Sequence, residues 1–492
     1  MNPTKEQQAI IDTYVAGESC LVQAGPGVGK TFSICLAANT LQRNGLYLAF
    51  NKAIAKEVEG KLPSYIESRT THSLAYASIG HRYQNKLSRP KGRYVNVAAT
   101  PSEIVRYFSV KGFMDVNDLE VAKLTKLTVN RFESSADHSL NDNHIPKGGM
   151  IEIIKRAEKR RESASQTDMA GLKGHVMKYA TLLWEGRKDI SSDVLATHDT
   201  YLKLFQLSKP DLGVEVVFLD ECQDITPCVY DIVKQQEGRS QIIAVGDASQ
   251  AIYQWRGAIN AMEMFPYKKL PLSQSFRFGQ EVADVANMII SGSSEMDIKG
   301  NPNNDGKVGE IDVEELASSG QEVCLISRTN MGVLMNALSF IDQGIPVDIK
   351  INVNDFCRIL SEAQYLYDGE TRKVKHEDLV GFQNWSELME EAKEDAGLKR
   401  IATIVMQGKT YSITRQLKNN DSKNANIICI TAHKSKGLEW DNVVLDEDFL
   451  PLDKEGLPVM ERNLLYVAAT RAMRTLALND DLNKHYHTNG VS

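Results

Sequence analysis

The stretch AGPGVGKT, residues Ala24–Thr31, lies between two patterns of regular secondary structure. Ser19–Gln23 before it has the character of a short apolar strand, and Phe32–Leu41 after it carries the apolar spacing of a helix. A glycine-rich turn in this position is typical of a phosphate-binding loop. The alternative, a chance glycine-rich turn, does not account for the strand and the helix on either side.

The residue types in this loop suit a triphosphate and a divalent cation. The loop supplies three glycines, Gly25, Gly27 and Gly29. They allow backbone N–H groups to converge on phosphate oxygens at the start of a helix, where the helix dipole favours anions. Lys30 is placed to reach the β- and γ-phosphates, and Thr31 to bind Mg²⁺. The first consensus glycine is replaced by Ala24.

Strand-like and helix-like runs alternate beyond this loop. Strand-like runs occur at Leu46–Phe50, Glu215–Leu219 and Gln241–Val245, with a helix pattern at Lys52–Leu62. A second alternation begins near Lys268, with strand-like runs at Glu322–Ser327, Asn426–Ile430, Asn442–Leu445 and Arg474–Leu478. Alternation of this kind predicts parallel sheets covered by helices on both faces.

The stretch between about Gly80 and Ser208 has a different character, because its segments are polar and helix-prone. We therefore predict three domains. The first α/β domain comprises 1–80 and 209–265, a mostly helical insertion comprises 81–208, and the second α/β domain comprises 266–492.

An apolar run leads into DECQD, residues Asp220–Asp224, whose first two residues are the adjacent carboxylates Asp220 and Glu221. Asp220 at such a point can hold Mg²⁺ through water, and Glu221 can polarise the water that attacks the γ-phosphate. An apolar run that ends in Asp-Glu is weak evidence alone. After a phosphate loop, on another strand of the same sheet, it becomes strong.

The stretch GDASQAIYQWRGA, residues Gly246–Ala258, combines two chemistries. Asp247 and Gln250 follow a buried strand pattern as short polar groups. Tyr253, Trp255 and Arg256 come next, and aromatic rings beside a guanidinium stack on exposed bases. This combination indicates a coupling element between phosphate chemistry and a nucleic acid strand. The alternative is an ordinary loop whose tryptophan packs in a core.

Composition describes a globular chain of 492 residues with 42% hydrophobic and 25% charged residues. No window is apolar enough for a membrane helix, and the N-terminus has no signal core. The seven cysteines include no Cys-x-x-Cys pair, which fits a reducing compartment. We expect a cytoplasmic protein, or a nuclear one in a eukaryote, that is not secreted.

The net charge of −7 argues against a global basic field that holds nucleic acid, but it leaves room for a local groove. Two basic stretches occur, at Arg82–Arg93 and Lys155–Arg161. Each is either a solvated face or a contact of the helical insertion with DNA.

With these motifs in view, the chain resembles the UvrD/Rep-like superfamily 1 DNA helicases. The wording of its motifs is closest to the F-box DNA helicase type, although no F-box is recognisable. Matching segments run in family order from Gln7 to Arg471. Those not yet described are TKEQQAII (Thr4–Ile11), AFNKAIAKE (Ala49–Glu57), TTHSLA (Thr70–Ala75), LSQSFRF (Leu272–Phe278), LISRTN (Leu325–Asn330), TAHKSKGLEWDNVVL (Thr431–Leu445) and LLYVAATRA (Leu464–Ala472).

The resemblance implies two RecA-like P-loop domains that bind ATP and Mg²⁺ between them. It also implies at most a vestigial insertion around 351–411 in the second domain. The implied catalytic residues are Lys30, Asp220, Glu221, Gln250, Arg277 and Arg471, with both arginines at the γ-phosphate. The implied nucleotide contacts are Gln7, Ala24, Gly25, Gly27, Gly29, Lys30, Thr31, Phe276 and Glu439. The implied DNA contacts are Phe50, Asn51, Thr71, His72, Tyr253, Trp255, Arg256, Arg328 and His433.

Within these sets the resemblance implies that Gln7 contacts the adenine, that Phe276 stacks on the adenine and that Glu439 lies near the ribose. Several residues also have an ordinary structural explanation. His72 could be a satisfied core histidine, as could His433. Arg277 and Arg471 could be surface ion-pair partners, and Glu439 the exposed end of a turn.

The function implied is an ATP-dependent single-stranded DNA translocase or helicase that moves 3′ to 5′ in replication, recombination or repair. Its partners would be single-stranded DNA, junctions of single and double strands, and replication or recombination proteins, with no membrane and a monomeric active form. Alternatives are a motor that strips recombinase from single strands, a motor subunit of a nuclease or defence complex, and a non-catalytic DNA-binding module. The intact set of ATP-site residues counts against the last.

Overall fold

The computed structural model describes residues 3–87, 98–159, 168–254, 257–293, 296–376, 378–393 and 395–488. Within these ranges the strands form two parallel sheets with helices around them. The predicted α/β class with parallel sheets is therefore confirmed. No helix in these ranges is long and apolar enough to cross a membrane.

The first segment alternates helices and strands. Its elements are α1 (Lys5–Ala16), β1 (Cys20–Ala24), α2 (Lys30–Ala38), β2 (Gly45–Ala49), α3 (Lys52–Glu59), β3 (Ile66–Thr70) and α4 (Thr71–Ser78). Local signals set the helix starts: Thr4 and Thr70 form capping boxes, and the Asn51 side chain accepts from the N–H of Ile54. Such caps satisfy N–H groups that have no partner within the helix.

The described part of the insertion consists mainly of helices. They are α5 (Pro101–Phe108), α6 (Asp118–Ser134), α7 (Lys147–Lys159), α8 (Met169–Lys188) and α9 (His198–Leu207). Helices α6 and α8 pack at the centre, where Phe132 and Trp184 meet edge to face with ring centroids 5.1 Å apart. A fully buried ion pair, Arg187 to Glu133 at 2.6 Å, joins the same two helices. This stretch is helical as expected, and its limits as a domain remain a prediction.

The chain then returns to the first sheet. The elements are β4 (Val216–Leu219), α10 (Pro227–Lys234), β5 (Gln241–Gly246) and β6 (Lys268–Leu272). The strand order is β3-β2-β4-β5-β1-β6 within the described ranges, with every pairing parallel. We expected the run from Lys268 to open the second α/β domain. It instead pairs with β1 from Cys20 to Ala24, so the segment after β6 emerges beside the phosphate loop.

The second sheet begins after this crossing. Its first elements are α11 (Gln280–Ile290), β7 (Lys307–Val308), α12 (Val313–Ser318), β8 (Val323–Ser327), α13 (Asn330–Ile341) and β9 (Val347–Ile349). A helical group follows, consisting of α14 (Val353–Tyr367), α15 (Trp385–Glu391), α16 (Ala396–Met406) and α17 (Thr410–Asn419). This group covers the region where at most a vestigial insertion is predicted. Its buried cluster contains Leu360, Leu388 and Val405 and also takes in Leu334 and Leu338 of α13.

The remaining elements complete the second sheet. They are β10 (Ile427–Thr431), α18 (Ala432–Ser435), β11 (Trp440–Leu445), α19 (Val459–Ala469), β12 (Ala472–Ala477) and α20 (Asp480–Thr488). The strand order is β7-β12-β11-β8-β10-β9, again parallel throughout the described residues. The predicted strands near 322, 426, 442 and 474 are confirmed as β8, β10, β11 and β12.

The two helical regions touch each other. Arg156 on α7 lies over the ring of Phe382, 4.8 Å from its centroid, and pairs with Glu391 of α15 at 3.6 Å. A second pair joins Arg156 to Glu152 within α7 at 3.1 Å. This contact bridges the insertion of the first half to the helical group of the second.

Candidate active site

The phosphate loop joins β1 to α2 and requires two left-handed glycines. Gly27 has φ of 70° and Gly29 has φ of 74°, a region that glycine occupies without a steric penalty. A Cβ on Gly27 would also lie 2.5 Å from the Cβ of Arg277 and 2.9 Å from Oγ of Ser275. Ala24, where the consensus has glycine, is the last residue of β1, so its side chain is compatible with the loop.

The segment after β6 is fastened to this loop. Ser275 Oγ donates to the carbonyl of Pro26 at 2.9 Å, and the N–H of Phe276 donates to the carbonyl of Gly27 at 2.8 Å. The half-exposed Phe276 ring lies beside Gly29. Phe276 therefore borders the phosphate loop with a free face, as a base-stacking residue requires. Its contact with adenine remains a prediction.

Lys30 and Glu221 form an ion pair at the base of the loop, with Nζ 2.9 Å from Oε1. Burial acts to lower the pKa of Lys30, but the Glu221 and Asp220 charges outweigh it and raise that pKa. Burial acts to raise the pKa of Glu221, but the charges of Lys30 and Lys436 hold it below its usual value. The structure thus brings two predicted catalytic residues together in their charged forms.

Asp220 follows β4 and is buried. Its Oδ1 accepts from the N–H of Glu221 at 3.0 Å, and its Oδ2 accepts from the hydroxyl of Tyr47 at 2.5 Å. Burial and the neighbouring Glu221 charge raise the pKa of Asp220. Burial raises the pKa of the Tyr47 hydroxyl, and the nearby Thr31 side chain acts to lower it. Both predicted magnesium ligands therefore lie close to one tyrosine, which the sequence interpretation did not single out.

Arg277 and Arg471 approach the loop from the second half of the chain. Arg277 donates from Nε to Glu439 Oε2 at 2.7 Å and from Nη1 to the carbonyl of Thr470 at 3.0 Å. The ion-pair alternative thus describes one contact of Arg277, and Glu439 is its partner. Arg471 is only 2% exposed, so the surface alternative is wrong for it.

The environment of Arg471 is unusual for a cation. It donates to the carbonyls of Val467 and Leu438 and to the hydroxyl of Thr470. Burial and the charge of Arg277 lower the pKa of Arg471 to about 9. Two guanidinium groups that repel each other beside a phosphate loop form a site that an anion would stabilise.

Gln7 lies in the cap of α1. Its Oε1 accepts from the N–H of Thr4 at 3.0 Å, and its Nε2 donates to Ser33 Oγ at 3.3 Å. The side chain is buried against α2, the helix that begins at the phosphate loop. Its amide is therefore held close to the loop, and adenine recognition by it remains a prediction.

Gln250 connects the two halves of the chain. Its Nε2 donates to Asp247 Oδ2 at 2.7 Å, and the hydroxyl of Tyr466 on α19 donates to the same oxygen at 3.2 Å. Lys436 donates to the backbone carbonyl of Gln250 at 2.7 Å and pairs with Asp224. The side chain of Gln250 is thus bonded to Asp247, while its backbone is bonded to the second half. Lys436 and Tyr466 were not among the predicted site residues.

Three predicted DNA-contacting residues lie together. The rings of Phe50 and Tyr253 stack with centroids 5.8 Å apart and planes 17° apart. The hydroxyl of Tyr253 donates to the carbonyl of His433 at 3.0 Å, and those two rings lie 6.1 Å apart. We call Phe50, Tyr253 and His433 the aromatic cluster. It joins the end of β2, the loop after β5 and helix α18.

The other predicted DNA contacts are separately engaged. Asn51 caps α3, and Thr71 is buried at the start of α4. His72 Nε2 lies 3.0 Å from Asp199 Oδ1, and Arg328 binds Glu461 through two bonds of 2.6 and 2.8 Å. Trp255 and Arg256 lie outside the described residues, so their predicted stacking role stays a prediction.

The two basic segments also contain both residues that the structure describes and residues that lie outside the described ranges. Lys86 is buried, and its ammonium donates to the carbonyls of Gly186, Arg187 and Asp189 at the end of α8. Both alternatives for Arg82–Arg93, a solvated face and a contact with DNA, are therefore wrong for Lys86, because a helix C-terminus takes its charge. Residues 88–93 and 160–161 lie outside the described ranges.

Known proteins match this chain over nearly its whole length. The profile of the UvrD/REP helicase N-terminal domain matches residues 3–266, and that of the UvrD-like helicase C-terminal domain matches 426–478. F-box DNA helicase protein 1 of Schizosaccharomyces pombe is 30% identical over 98% of this chain and 58% of its own length. F-box DNA helicase 1 of Gallus gallus is 27% identical over 97% of this chain and 49% of its own length. The chain thus spans about half the length of these curated relatives.

Two further matches are more distant. The ATP-dependent DNA helicase PcrA of Leuconostoc citreum is 25% identical over 56% of this chain and 37% of its own length. Among solved structures, a complex of Arterivirus nonstructural protein 10 (helicase) with DNA is 12% identical, with a TM-score of 0.35. It covers 98% of this chain and 65% of the viral one.

Proposed function

Because this chain belongs to the UvrD/REP helicase family, we propose that it is an ATP-dependent motor that translocates on single-stranded DNA and separates duplex strands. ATP, with Mg²⁺, is the nucleotide that we assign to the loop at Ala24–Thr31. The DNA substrate is a single strand or its junction with a duplex. Curated relatives carry DNA helicase in their names, which supports the choice of DNA.

One observation carries the proposal: cations from both halves of the chain meet at the phosphate loop. Lys30 begins α2, while Arg277 packs its Cβ against Gly27 from the segment after β6. Arg471, at the end of α19, adds a second buried guanidinium. A γ-phosphate between these groups would offset the repulsion between the arginines. Its loss on hydrolysis would remove the charge that holds the two halves together.

The residues around Asp220 fit a divalent cation. Thr31 supplies a hydroxyl and Asp220 a carboxylate, and both are oxygen ligands of the kind that Mg²⁺ prefers. When bound, Mg²⁺ would neutralise phosphate charge in the transition state. Glu221, held in its charged form beside Lys30, is the base that would orient and deprotonate the attacking water.

The aromatic cluster provides the route to DNA. Tyr253 lies three residues after Gln250, and Lys436 contacts the Gln250 backbone while its Nζ lies 5.7 Å from the centroid of the Tyr253 ring. A change in separation between the halves would therefore move the Tyr253–His433 contact as well. Bases stacked on these rings would be gripped or released with each ATP cycle.

The finer assignments rest on the resemblance to the family. We propose movement from 3′ to 5′, a role in replication, recombination or repair, and an active monomer inside the cell. A cytoplasmic or nuclear location follows from that role.

Strand displacement tests the proposal. Duplexes with a 3′ or a 5′ single-stranded tail are incubated with the protein and ATP, and we expect displacement only with the 3′ tail. Lys30→Ala should abolish it, whereas Lys61→Ala, a control in which Lys61 is more than half exposed and paired with Glu57, should not. Displacement from the 5′ tail alone would overturn the polarity. ATP hydrolysis stimulated by DNA without displacement would instead favour the protein-stripping motor.

A further inference from the structure

Tyr47 is the fully buried tyrosine of β2. Strand β2 lies beside β4 in the first sheet, with Tyr47 aligned to Phe218. Asp220 is the first residue after β4. This register therefore directs the Tyr47 side chain towards the Asp220 carboxylate. The hydroxyl donates to Asp220 Oδ2 at 2.5 Å.

Packing alone does not account for this hydroxyl. The ring of Tyr47 sits in an apolar cluster with Tyr14, Val22 and Phe218, where phenylalanine would fill nearly the same volume. A hydroxyl in such a place costs free energy unless it is hydrogen-bonded. Its hydrogen-bond partner is the Asp220 carboxylate, and the Thr31 side chain lies close by; these are the two residues to which we assign the divalent cation.

We propose that Tyr47 is a positioning residue that fixes Asp220 and Thr31 for the divalent cation. This rests on the proposed function, since it concerns the cation that accompanies the nucleotide. Groups that orient metal ligands from behind tune affinity strongly, and their loss typically costs about 10- to 100-fold in metal affinity or activity.

The bonding at Asp220 shows how the positioning works. Oδ1 is held by the N–H of Glu221 and Oδ2 by Tyr47, so the plane of the carboxylate is fixed from two sides. A carboxylate has roughly four lone-pair positions, which leaves acceptor capacity on both oxygens. Without the tyrosine hydroxyl, only the Glu221 N–H would orient the group. The Thr31 side chain would lose this neighbouring hydroxyl at the same time.

Two matched substitutions test this. Tyr47→Phe removes the hydroxyl at the carboxylate. Tyr14→Phe, the control, removes a hydroxyl from an equally buried ring in the same cluster, where it donates to the carbonyl of Leu41 at 2.9 Å. Mn²⁺ affinity is measured by electron paramagnetic resonance at saturating ADP, and ADP affinity is measured separately in EDTA.

We expect Tyr47→Phe to weaken Mn²⁺ binding by about 10- to 100-fold and to change ADP affinity in EDTA by less than about twofold. Tyr14→Phe should change neither. Equal Mn²⁺ affinity in wild type and Tyr47→Phe would overturn the positioning role. Failure of the wild type to bind ADP would overturn the proposed function instead, so the two failures are distinguishable.

A second measurement keeps the test open if Tyr47→Phe does not fold. 3-Fluorotyrosine at position 47 preserves the packing and makes the hydroxyl a stronger donor to Asp220. We expect Mn²⁺ affinity to shift several-fold, with no change when the same residue is placed at position 14. Equal affinities at both positions would contradict the proposal.

Discussion

The nucleotide side and the DNA side of this molecule differ in how their predicted residues are held. The nucleotide side is Lys30, Asp220, Glu221, Arg277 and Arg471. The DNA side is Phe50, His72, Tyr253, Arg328 and His433. The first set lies around one loop, with Asp220 and Arg471 buried and the other three partly buried. The second set includes the aromatic cluster, but His72 and Arg328 are bound to carboxylates elsewhere.

The two sides differ in how their cationic side chains are already bonded within the protein. On the nucleotide side, Lys30 and Arg277 are paired with Glu221 and Glu439. Buried Arg471 instead donates to two carbonyls and a hydroxyl, and burial and the charge of Arg277 lower its pKa, so an anion beside it would offset the repulsion between the arginines. On the DNA side, Arg328 already has a carboxylate partner in Glu461. DNA phosphate must therefore compete with that intramolecular contact. We expect substitutions on the nucleotide side to have the larger effects.

Removing the buried arginine should have the largest effect. Arg471→Ala should lower kcat for ATP hydrolysis by roughly 10³-fold or more, because an arginine at the γ-phosphate stabilises transition-state charge to that extent. The control Arg474→Ala removes an exposed arginine three residues along, at the surface of β12. It should leave kcat unchanged. A steady-state ATPase assay on both variants makes the comparison, and equal kcat values would remove Arg471 from the site.

The aromatic cluster should show the next largest effect. Tyr253→Ala should weaken single-stranded DNA binding by roughly 5- to 150-fold, since stacking on one base contributes about 1–3 kcal/mol. Nucleotide affinity should stay within twofold, about the error of such titrations. Tyr411→Ala is the control, because Tyr411 on α17 is 76% exposed and outside the aromatic cluster. Fluorescence anisotropy with labelled DNA measures the DNA affinity of both variants. Equal losses of affinity would show that the aromatic cluster has no specific role in binding DNA.

Lys86 should affect stability and leave DNA binding unchanged. Lys86→Met removes donors from buried carbonyls at the end of α8, which costs about 1–3 kcal/mol in the free energy of unfolding. Chemical denaturation measures this loss. The affinity for DNA and its dependence on salt should both match those of the wild type. A shallower salt dependence would place Lys86 against phosphate after all.

The smallest expected effect concerns Arg328. Glu461→Gln removes the charge that holds this guanidinium, so Arg328 becomes available to a phosphate. We expect single-stranded DNA to bind about two- to fivefold more tightly, with a salt dependence steeper by roughly one phosphate contact. Titration at several salt concentrations tests this. Unchanged affinity in Glu461→Gln would mean that Arg328 serves the fold and not the strand.

The phosphate loop was predictable because its chemistry is contained in eight consecutive residues, Ala24–Thr31. Both parallel sheets also followed from local strand and helix patterns. Tyr47 was not predictable, because its partner Asp220 lies 173 residues away and an apolar strand hides one functional hydroxyl. Lys86 was misassigned because a basic stretch does not show which ammonium is buried. The strand at Lys268 was predicted to open the second α/β domain. Its pairing with β1 depends on tertiary packing, which local sequence patterns do not reveal.

Coupling between the two sides is the central claim, and DNA-stimulated ATP hydrolysis tests it most directly. The rate is measured as single-stranded DNA is titrated into wild type and Gln250→Ala, with DNA affinity measured in parallel. We predict that the wild-type rate rises to saturation with DNA. Gln250→Ala should bind DNA with wild-type affinity and show little or no rise. A wild-type rate that does not respond to DNA would contradict the account.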